Sequence, residues 1–282
     1  MASYTSDALV LRVKEQGASD KLFTLLSAEG GRFYALQKGA HSTKRREAAA
    51  TELFTYSNFE FYERDKRKWI KSATALHTFG GLRFDAEKLF LAAYFAEVAG
   101  ELTDEQSPPG EMLPLLLNTL HHLSAVNGEN DRIKAAFEMR TAAISGFCPD
   151  LTSCAHCGAA VGEGMYLDVM NGALICPQCL RKQSAMGELP PVNDLGERRL
   201  LYPLSASAVR ALSFVVTAPP KRFLAFRLTD AHSLHQCARA AEAYLLHHLE
   251  RGFSSLENYK KMRFEAPLTL SKKVDKNEDV CK

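Results

Sequence analysis

Cys154-Ala155-His156-Cys157 and, eighteen residues further on, Cys176-Pro177-Gln178-Cys179 are the residues whose types and spacing point most directly to chemistry in this 282-residue sequence. A Cys-x-x-Cys segment makes a tight turn that presents two thiolates side by side, and two such turns supply the four sulfurs of a tetrahedral zinc site. Gly158 and Pro177 suit turns of this kind. Four thiolates leave no coordination position for water or substrate, so the expected zinc, one per chain, is structural. Two disulfides or four unligated thiols are the competing readings, and a reducing compartment disfavours the first. His156 reads as a surface residue of the first turn, while Cys148, Cys237 and Cys281 lie outside the pattern and read as inert thiols.

Other catalytic constellations are missing. A metal-dependent deaminase needs an open coordination site beside an H-x-E glutamate, and neither cysteine turn offers one. There is no Walker pattern. The tandem pairs His121-His122 and His247-His248 fall on expected helices, where neighbouring side chains point in different directions and do not readily share one ion. A zinc-dependent enzyme is therefore disfavoured, and no catalytic residue is expected.

The second set with chemical meaning is cationic. Residues 1–80 hold thirteen Lys and Arg against nine Asp and Glu, although the whole chain has a formal net charge of only +2. Lys38, Lys44, Arg45 and Arg46 belong to one basic stretch, and Arg64-Asp65-Lys66-Arg67-Lys68 forms another. Arg12, Lys14, Lys21 and Arg32 extend the set. Basic loops beside aromatic side chains are the usual means of holding a single strand, with cations on the phosphates and rings under the bases. Tyr34, Tyr56, Tyr62 and Trp69 are the available rings. Strand alternation puts Tyr34 and Tyr62 on the faces opposite Phe33 and Phe61. A solvated charged loop is the bland alternative.

The elements that must position these residues follow from periodicity. Leu9-Val10-Leu11, residues 22–26, residues 32–36, Phe59-Glu60-Phe61 and Trp69-Ile70 are short β-prone segments separated by turn signals, which suggests a small barrel or sandwich. Beyond Gly80-Gly81 the period becomes helical. Asp85 can cap a helix whose body, residues 89–95, is apolar on nearly every face and so belongs in a bundle. Leu113, Leu116, Leu117 and Leu120 mark a second helix, whose start Pro114 leaves open. Ile133, Phe137, Arg140, Thr141 and Ile144 mark a third, stopped by Gly146 and Pro149. After the cysteine segment come a helix through Val209, Leu212 and Val216, ended by Pro219-Pro220, and a longer one from Leu234 to Leu249, ended by Gly252. Residues from Ser271 onward are charged and aperiodic, and a disordered tail is expected there.

Composition is that of an ordinary globular chain, 46% hydrophobic and 24% charged. Residues 1–7 have no positively charged start typical of a signal peptide. The most apolar stretch, 89–100, is shorter than the roughly 20 residues that span a bilayer. A cytoplasmic location is expected, with no membrane partner.

Taken in order, several of these segments resemble the RecO family. The resemblance rests on Ala8-Leu9-Val10-Leu11-Arg12-Val13, Gly17-Ala18-Ser19-Asp20-Lys21, Gly31-Arg32 and Lys38-Gly39-Ala40. It continues through Tyr94-Phe95-Ala96-Glu97, Phe137-Glu138-Met139-Arg140 and Gly146-Phe147-Cys148-Pro149-Asp150-Leu151, which leads into the first cysteine turn. The family often has a glutamate where Ala18 stands, and only part of it carries the four cysteines, so the metal expectation rests on the spacing here. The resemblance implies an α+β chain: an N-terminal OB-fold β-barrel followed by an α-helical bundle with an inserted four-cysteine zinc knuckle. The expected division is 1–80 for the DNA-binding barrel, 81–150 and 181–270 for the bundle, 151–180 for the zinc insert and 271–282 for the tail.

The resemblance further implies a recombination mediator in DNA repair, nucleoid-associated. It would bind single- and double-stranded DNA, anneal strands coated with the single-strand-binding protein SSB, act with RecR and help load RecA. The DNA-binding candidates are Arg12, Lys14, Arg32, Lys38, Lys44, Arg45, Arg46, Lys66, Arg67 and Lys68. Arg132, Lys134 and Arg140 on the third helix are candidates for the carboxylates of the acidic SSB tail. A general OB-fold RNA or DNA binder without a repair role is the alternative, since it would account for the barrel and the basic loops equally well.

Overall fold

Alternating burial along the first strands builds the N-terminal part. In a computed structural model, which describes residues 3–39, 45–105, 107–186 and 201–263, five strands close on themselves. They are β1 (Ser3–Gln16), β2 (Asp20–Ser27), β3 (Gly31–Gln37), β4 (Thr55–Arg64) and β5 (Arg67–Thr78), in the order β1-β2-β3-β5-β4 and back to β1. All pairs are antiparallel except β3 with β5, which run parallel with Leu36 opposite Trp69. This is the five-stranded barrel of an OB-fold.

Ala8, Val10, Phe23, Leu25, Phe33, Ala35, Phe59, Phe61, Ile70 and Ala73 point inward. Phe61 meets Phe33 edge-on and lies nearly parallel to Phe59, each 5.5 Å between ring centres. A short helix, α1 (Arg45–Ala50), adds Ala50 to this core and is tied down by the Ser57 hydroxyl, which donates to the Ala50 carbonyl at 2.7 Å. The β4–β5 connection is a tight two-residue turn within the Arg64–Lys68 basic stretch. Arg64 pairs with Arg67, leaving only Asp65 and Lys66 in the turn, both left-handed (φ 53° and 59°). Such a turn matches the right-handed twist of the strands it joins.

The chain forms two compact units. One comprises the barrel, α2 (Ala86–Glu101), the start of α3 (Met112–Ala125) with residues 123–125, and the segment from Gly252. Asp85 caps α2 by accepting from the Lys88 N–H at 3.2 Å. Tyr94, Phe95 and Val98 of α2 are fully buried, and Leu11 of β1 packs beside Gly100. A helix over 254–263, which periodicity did not single out, docks on α2: the Ser255 N–H donates to Glu97 at 3.1 Å and the Tyr259 hydroxyl to Glu87 at 3.1 Å. Pro114 lies in the first turn of α3, where a missing N–H breaks no helical bond.

The other unit contains residues 117–122 and 126–251. Here α4 (Asn130–Ile144), α6 (Ala206–Thr217) and α7 (Ala231–His248) pack together. Ser205 and Asp230 cap α6 and α7, and Ser233 links the two caps through its hydroxyl, 2.6 Å from that of Ser205. The cysteine region is a four-stranded sheet in the order β6-β8-β7-β9, formed by β6 (Asp150–Cys154), β7 (Met165–Asp168), β8 (Ala173–Ile175) and β9 (Leu201–Leu204), with α5 (Pro177–Met186) after β8. β9 contains Pro203, which is tolerated because the strand lies at the sheet edge. The expected disordered tail, 271–282, lies outside the described residues.

Candidate metal centre and nucleic-acid groove

The two cysteine turns converge. The first begins where β6 ends at Cys154; the Gly158 N–H donates to the Cys154 carbonyl at 2.8 Å, and Gly158 takes a left-handed φ of 69°. The second begins where β8 ends, with Pro177 at the first position of α5 and the Leu180 N–H on the Cys176 carbonyl at 3.0 Å. All four sulfurs lie within 4.8 Å of one another. The Cys157 and Cys176 Sγ atoms are 3.7 Å apart, close to the edge of about 3.8 Å that a tetrahedron with 2.3 Å metal–sulfur bonds requires. Backbone N–H groups of Cys176 and Cys179 donate to the sulfurs of Cys154 and Cys176 at 3.3 and 3.4 Å. The residues present fit a tetrahedral thiolate metal.

The thiols differ in acidity. Burial disfavours the Cys154 thiolate, but N–H groups of Cys176, His156 and Cys157 outweigh it and bring its pKa down to about 6. Cys179 is pushed up to about 12, chiefly by its hydrogen bond with Cys157 and then by burial. One thiolate thus holds neighbouring thiols protonated, a conflict that a central cation removes. His156 faces away and contacts Gln183 at 2.9 Å. Cys237 is buried and its thiol is raised to about 12, as befits an inert core residue. The rings of His121-His122 and of His247-His248 stand nearly perpendicular. Among the described residues, the four cysteines are the group suited to a metal.

On the barrel, strand register arranges the cations and rings. Arg12, Thr24 and Tyr34 lie side by side across β1, β2 and β3; Lys14, Leu22, Leu36 and Trp69 form the next row, which reaches β5. Both rows face outward, because the intervening residues Phe23, Phe33 and Ala35 fill the core. Tyr34 is 44% exposed. Tyr62 stacks beside Trp69 at 6.5 Å and 18°, and the Lys38 ammonium stands 5.0 Å from the Trp69 ring centre.

Parallel pairing with β3 carries the hairpin tip back along that strand. Lys66, Arg67 and Lys68 therefore line a groove of about 480 Å³ with Tyr34 and Leu36. Lys68 also covers the Phe33 ring at 4.6 Å. Gln16 and Leu22 complete one side, and Glu105, on the connection between α2 and α3, completes another. Periodicity had no means of identifying Glu105, Gln16 or Leu22, since a groove is made by strand neighbours and not by local pattern.

Not every expected cation is in the groove. Arg12 and Lys14 lie on the same outer face. Arg32 precedes Tyr34; its backbone N–H donates to the Asp104 carbonyl at 3.1 Å, and its Nε is buried without a partner. Lys21 pairs with Glu15 at 3.6 Å. Lys44 and the side chains of Arg45 and Arg46 lie outside the described residues.

Arg132, Lys134 and Arg140 do not form an exposed cluster. Arg132 pairs with Glu129 and donates to the Leu224 carbonyl at 2.6 Å. Lys134 is buried between Glu138 and Glu242, each at 2.7 Å. Burial opposes its charge, but the two carboxylates outweigh burial and raise its pKa. Arg140 is buried and donates to the Val216 carbonyl at 2.7 Å. Helical spacing had put the three on one element; packing turned them toward the bundle's own carboxylates and carbonyls.

Among the described residues, no helix is long and apolar enough to cross a membrane. The family model described as Recombination protein O C terminal matches residues 83–257, and that described as Recombination protein O N terminal matches residues 1–79. Proteins named DNA repair protein RecO are similar over most of the chain. That of Pelotomaculum thermopropionicum is 33% identical over 180 residues, covering 64% of this chain and 70% of the relative. That of Acetivibrio thermocellus is 28% identical over 210 residues, 74% and 78% respectively. That of Anaeromyxobacter dehalogenans is 36% identical over 174 residues, 61% and 68%. Family models that account for the barrel and for the helical and cysteine-bearing part alike show that the chain belongs to the RecO family.

Proposed function

We propose that the chain is a recombination mediator in DNA repair: it binds single- and double-stranded DNA, anneals complementary strands coated with SSB, acts with RecR and helps load RecA. The observation that carries this reading is the groove over β2 and β3, where Tyr34 lies beside Lys66, Arg67 and Lys68. OB-folds bind oligonucleotides on this face, between the β1–β2 and β4–β5 loops. The three cations track phosphates while Tyr34, and Trp69 with Tyr62 in the adjoining row, offer faces for bases. Double strands engage through phosphate contacts alone.

Annealing requires no nucleophile. Binding two strands offsets phosphate repulsion and raises local concentration, and base pairing supplies the driving free energy. The protein therefore acts without making or breaking a covalent bond, in the cytoplasm and at the nucleoid. Residues 1–80 are the DNA-binding part, and 81–150 with 181–270 the helical part. The insert over 151–180 holds one structural zinc on Cys154, Cys157, Cys176 and Cys179, and four thiolates favour zinc over harder cations. The acidic SSB tail is a ligand of the helical part.

The test is the annealing rate of complementary strands coated with SSB, with intact SSB and with SSB lacking its acidic tail. Acceleration that depends on the tail is expected. No acceleration on coated or bare strands would leave a general nucleic-acid binder as the better description.

A further inference from the structure

Among the described residues, Glu105 is the one acidic side chain lining a groove otherwise charged by Lys66, Arg67 and Lys68. A carboxylate there works against phosphate binding, so its presence calls for another explanation. Its position is built in by the backbone. Residue 105 bridges to Gly31 and Arg32 at the start of β3, and the Arg32 N–H donates to the neighbouring Asp104 carbonyl at 3.1 Å. A Cβ on Gly31 would stand 2.1 Å from the Ser107 carbonyl oxygen and 2.5 Å from that of Asp104. Only glycine lets the strap between α2 and α3 come this close, and that approach seats an exposed carboxylate at the Gly31 end of the groove.

We propose that Glu105 sets a base preference within this groove, an inference that rests on the groove binding single strands. Lysine and arginine on the hairpin hold phosphates and carry no sequence information. A ring such as Tyr34 stacks under any base. A carboxylate differs because it only accepts hydrogen bonds. It matches the exocyclic N4 amino group of cytosine, whereas thymine presents its O4 carbonyl oxygen there, which a carboxylate repels. Glu105 thus trades some affinity for discrimination between pyrimidines of equal size, in favour of those bearing an amino group.

The experiment compares fluorescence anisotropy titrations of labelled oligo-dC and oligo-dT of equal length with the full chain and with Glu105→Ala and Glu105→Gln. The unaltered protein is expected to prefer dC by about three- to tenfold, the scale of one charge-assisted hydrogen bond at an open site. Both variants should bring the ratio close to one, mainly by tightening dT, because the amide of Gln both donates and accepts. An unchanged dC-to-dT ratio, or an equal gain for both oligomers, would overturn the inference. A Lys66→Glu, Arg67→Glu, Lys68→Glu variant separates the two levels. If it weakens both oligomers while the ratio ignores Glu105, the groove stands and the base preference falls; if it weakens neither, the groove reading falls with it.

Discussion

Gly172 lies directly against Tyr244: a Cβ on Gly172 would stand 2.6 Å from the Tyr244 hydroxyl oxygen. Gly172 closes the turn after β7, where its N–H donates to the Asp168 carbonyl at 2.9 Å, and its own carbonyl accepts from the Asp150 N–H at 2.7 Å. The contact therefore joins α7 to the sheet that carries both cysteine turns. Gly172 also has a left-handed φ of 63°. Gly172→Ala should lower unfolding stability by about 1–3 kcal/mol through strain and the steric conflict together. Pairing it with Tyr244→Phe should recover the steric part but not the φ part, as read by denaturant titration.

Metal content should be one zinc per chain by elemental analysis, and Cys154→Ser should lose it. Structural zinc contributes on the order of 10 kcal/mol to the folding of small metal-dependent units, so chelation should sharply lower the melting temperature. The pH dependence has a definite sign. Protons compete with metal for thiolates, so metal retention should weaken as pH falls, and least readily at Cys154, whose pKa is already depressed to about 6. Metal-free protein of unaltered stability would sink the structural role.

Charge reversal at Lys66, Arg67 and Lys68 should weaken single-strand binding and flatten its salt dependence. Each lost phosphate contact removes about 0.7 from the slope of log affinity against log salt, so the triple variant should lose about 2. The same reversal at Lys44, Arg45 and Arg46 tests whether the basic stretch that runs into α1 shares the load. Trp69 is the single tryptophan of the chain, so its fluorescence should report stacking directly. Quenching by oligo-dT whose midpoint moves to higher concentration on Tyr34→Ala, by an affinity loss of about 1–3 kcal/mol, is the expected result.

Lys134 makes a prediction about stability and not about partners. Lys134→Met leaves Glu138 and Glu242 without their shared cation, and should cost about 3–5 kcal/mol because Glu138 is fully buried. Its raised folded pKa means that protonation stabilises the native state. That contribution is complete below the unfolded value of about 10.4 and is lost as pH rises through the folded one. Alkaline melting curves of the two proteins should therefore converge.

The four-cysteine site was legible because each half is local. Two turns of four residues present two sulfurs each, and only their meeting had to be supplied by the sheet. The barrel strands and the helices α2, α4, α6 and α7 were legible for the same reason, since alternation, Asp85 and the terminating glycines and prolines act within a few residues. Tertiary structure decided the rest. Parallel pairing of β3 with β5 brings Trp69 beside Leu36 and the hairpin cations back toward Tyr34, and a glycine at 31 admits the strap that carries Glu105. Packing likewise buried Lys134 and Arg140, turned Arg132 inward and recruited β9 and the 254–263 helix. The physical reason is that local chain chemistry sets what each segment becomes, while which charge is paired and which ring is exposed depends on neighbours far away in the chain.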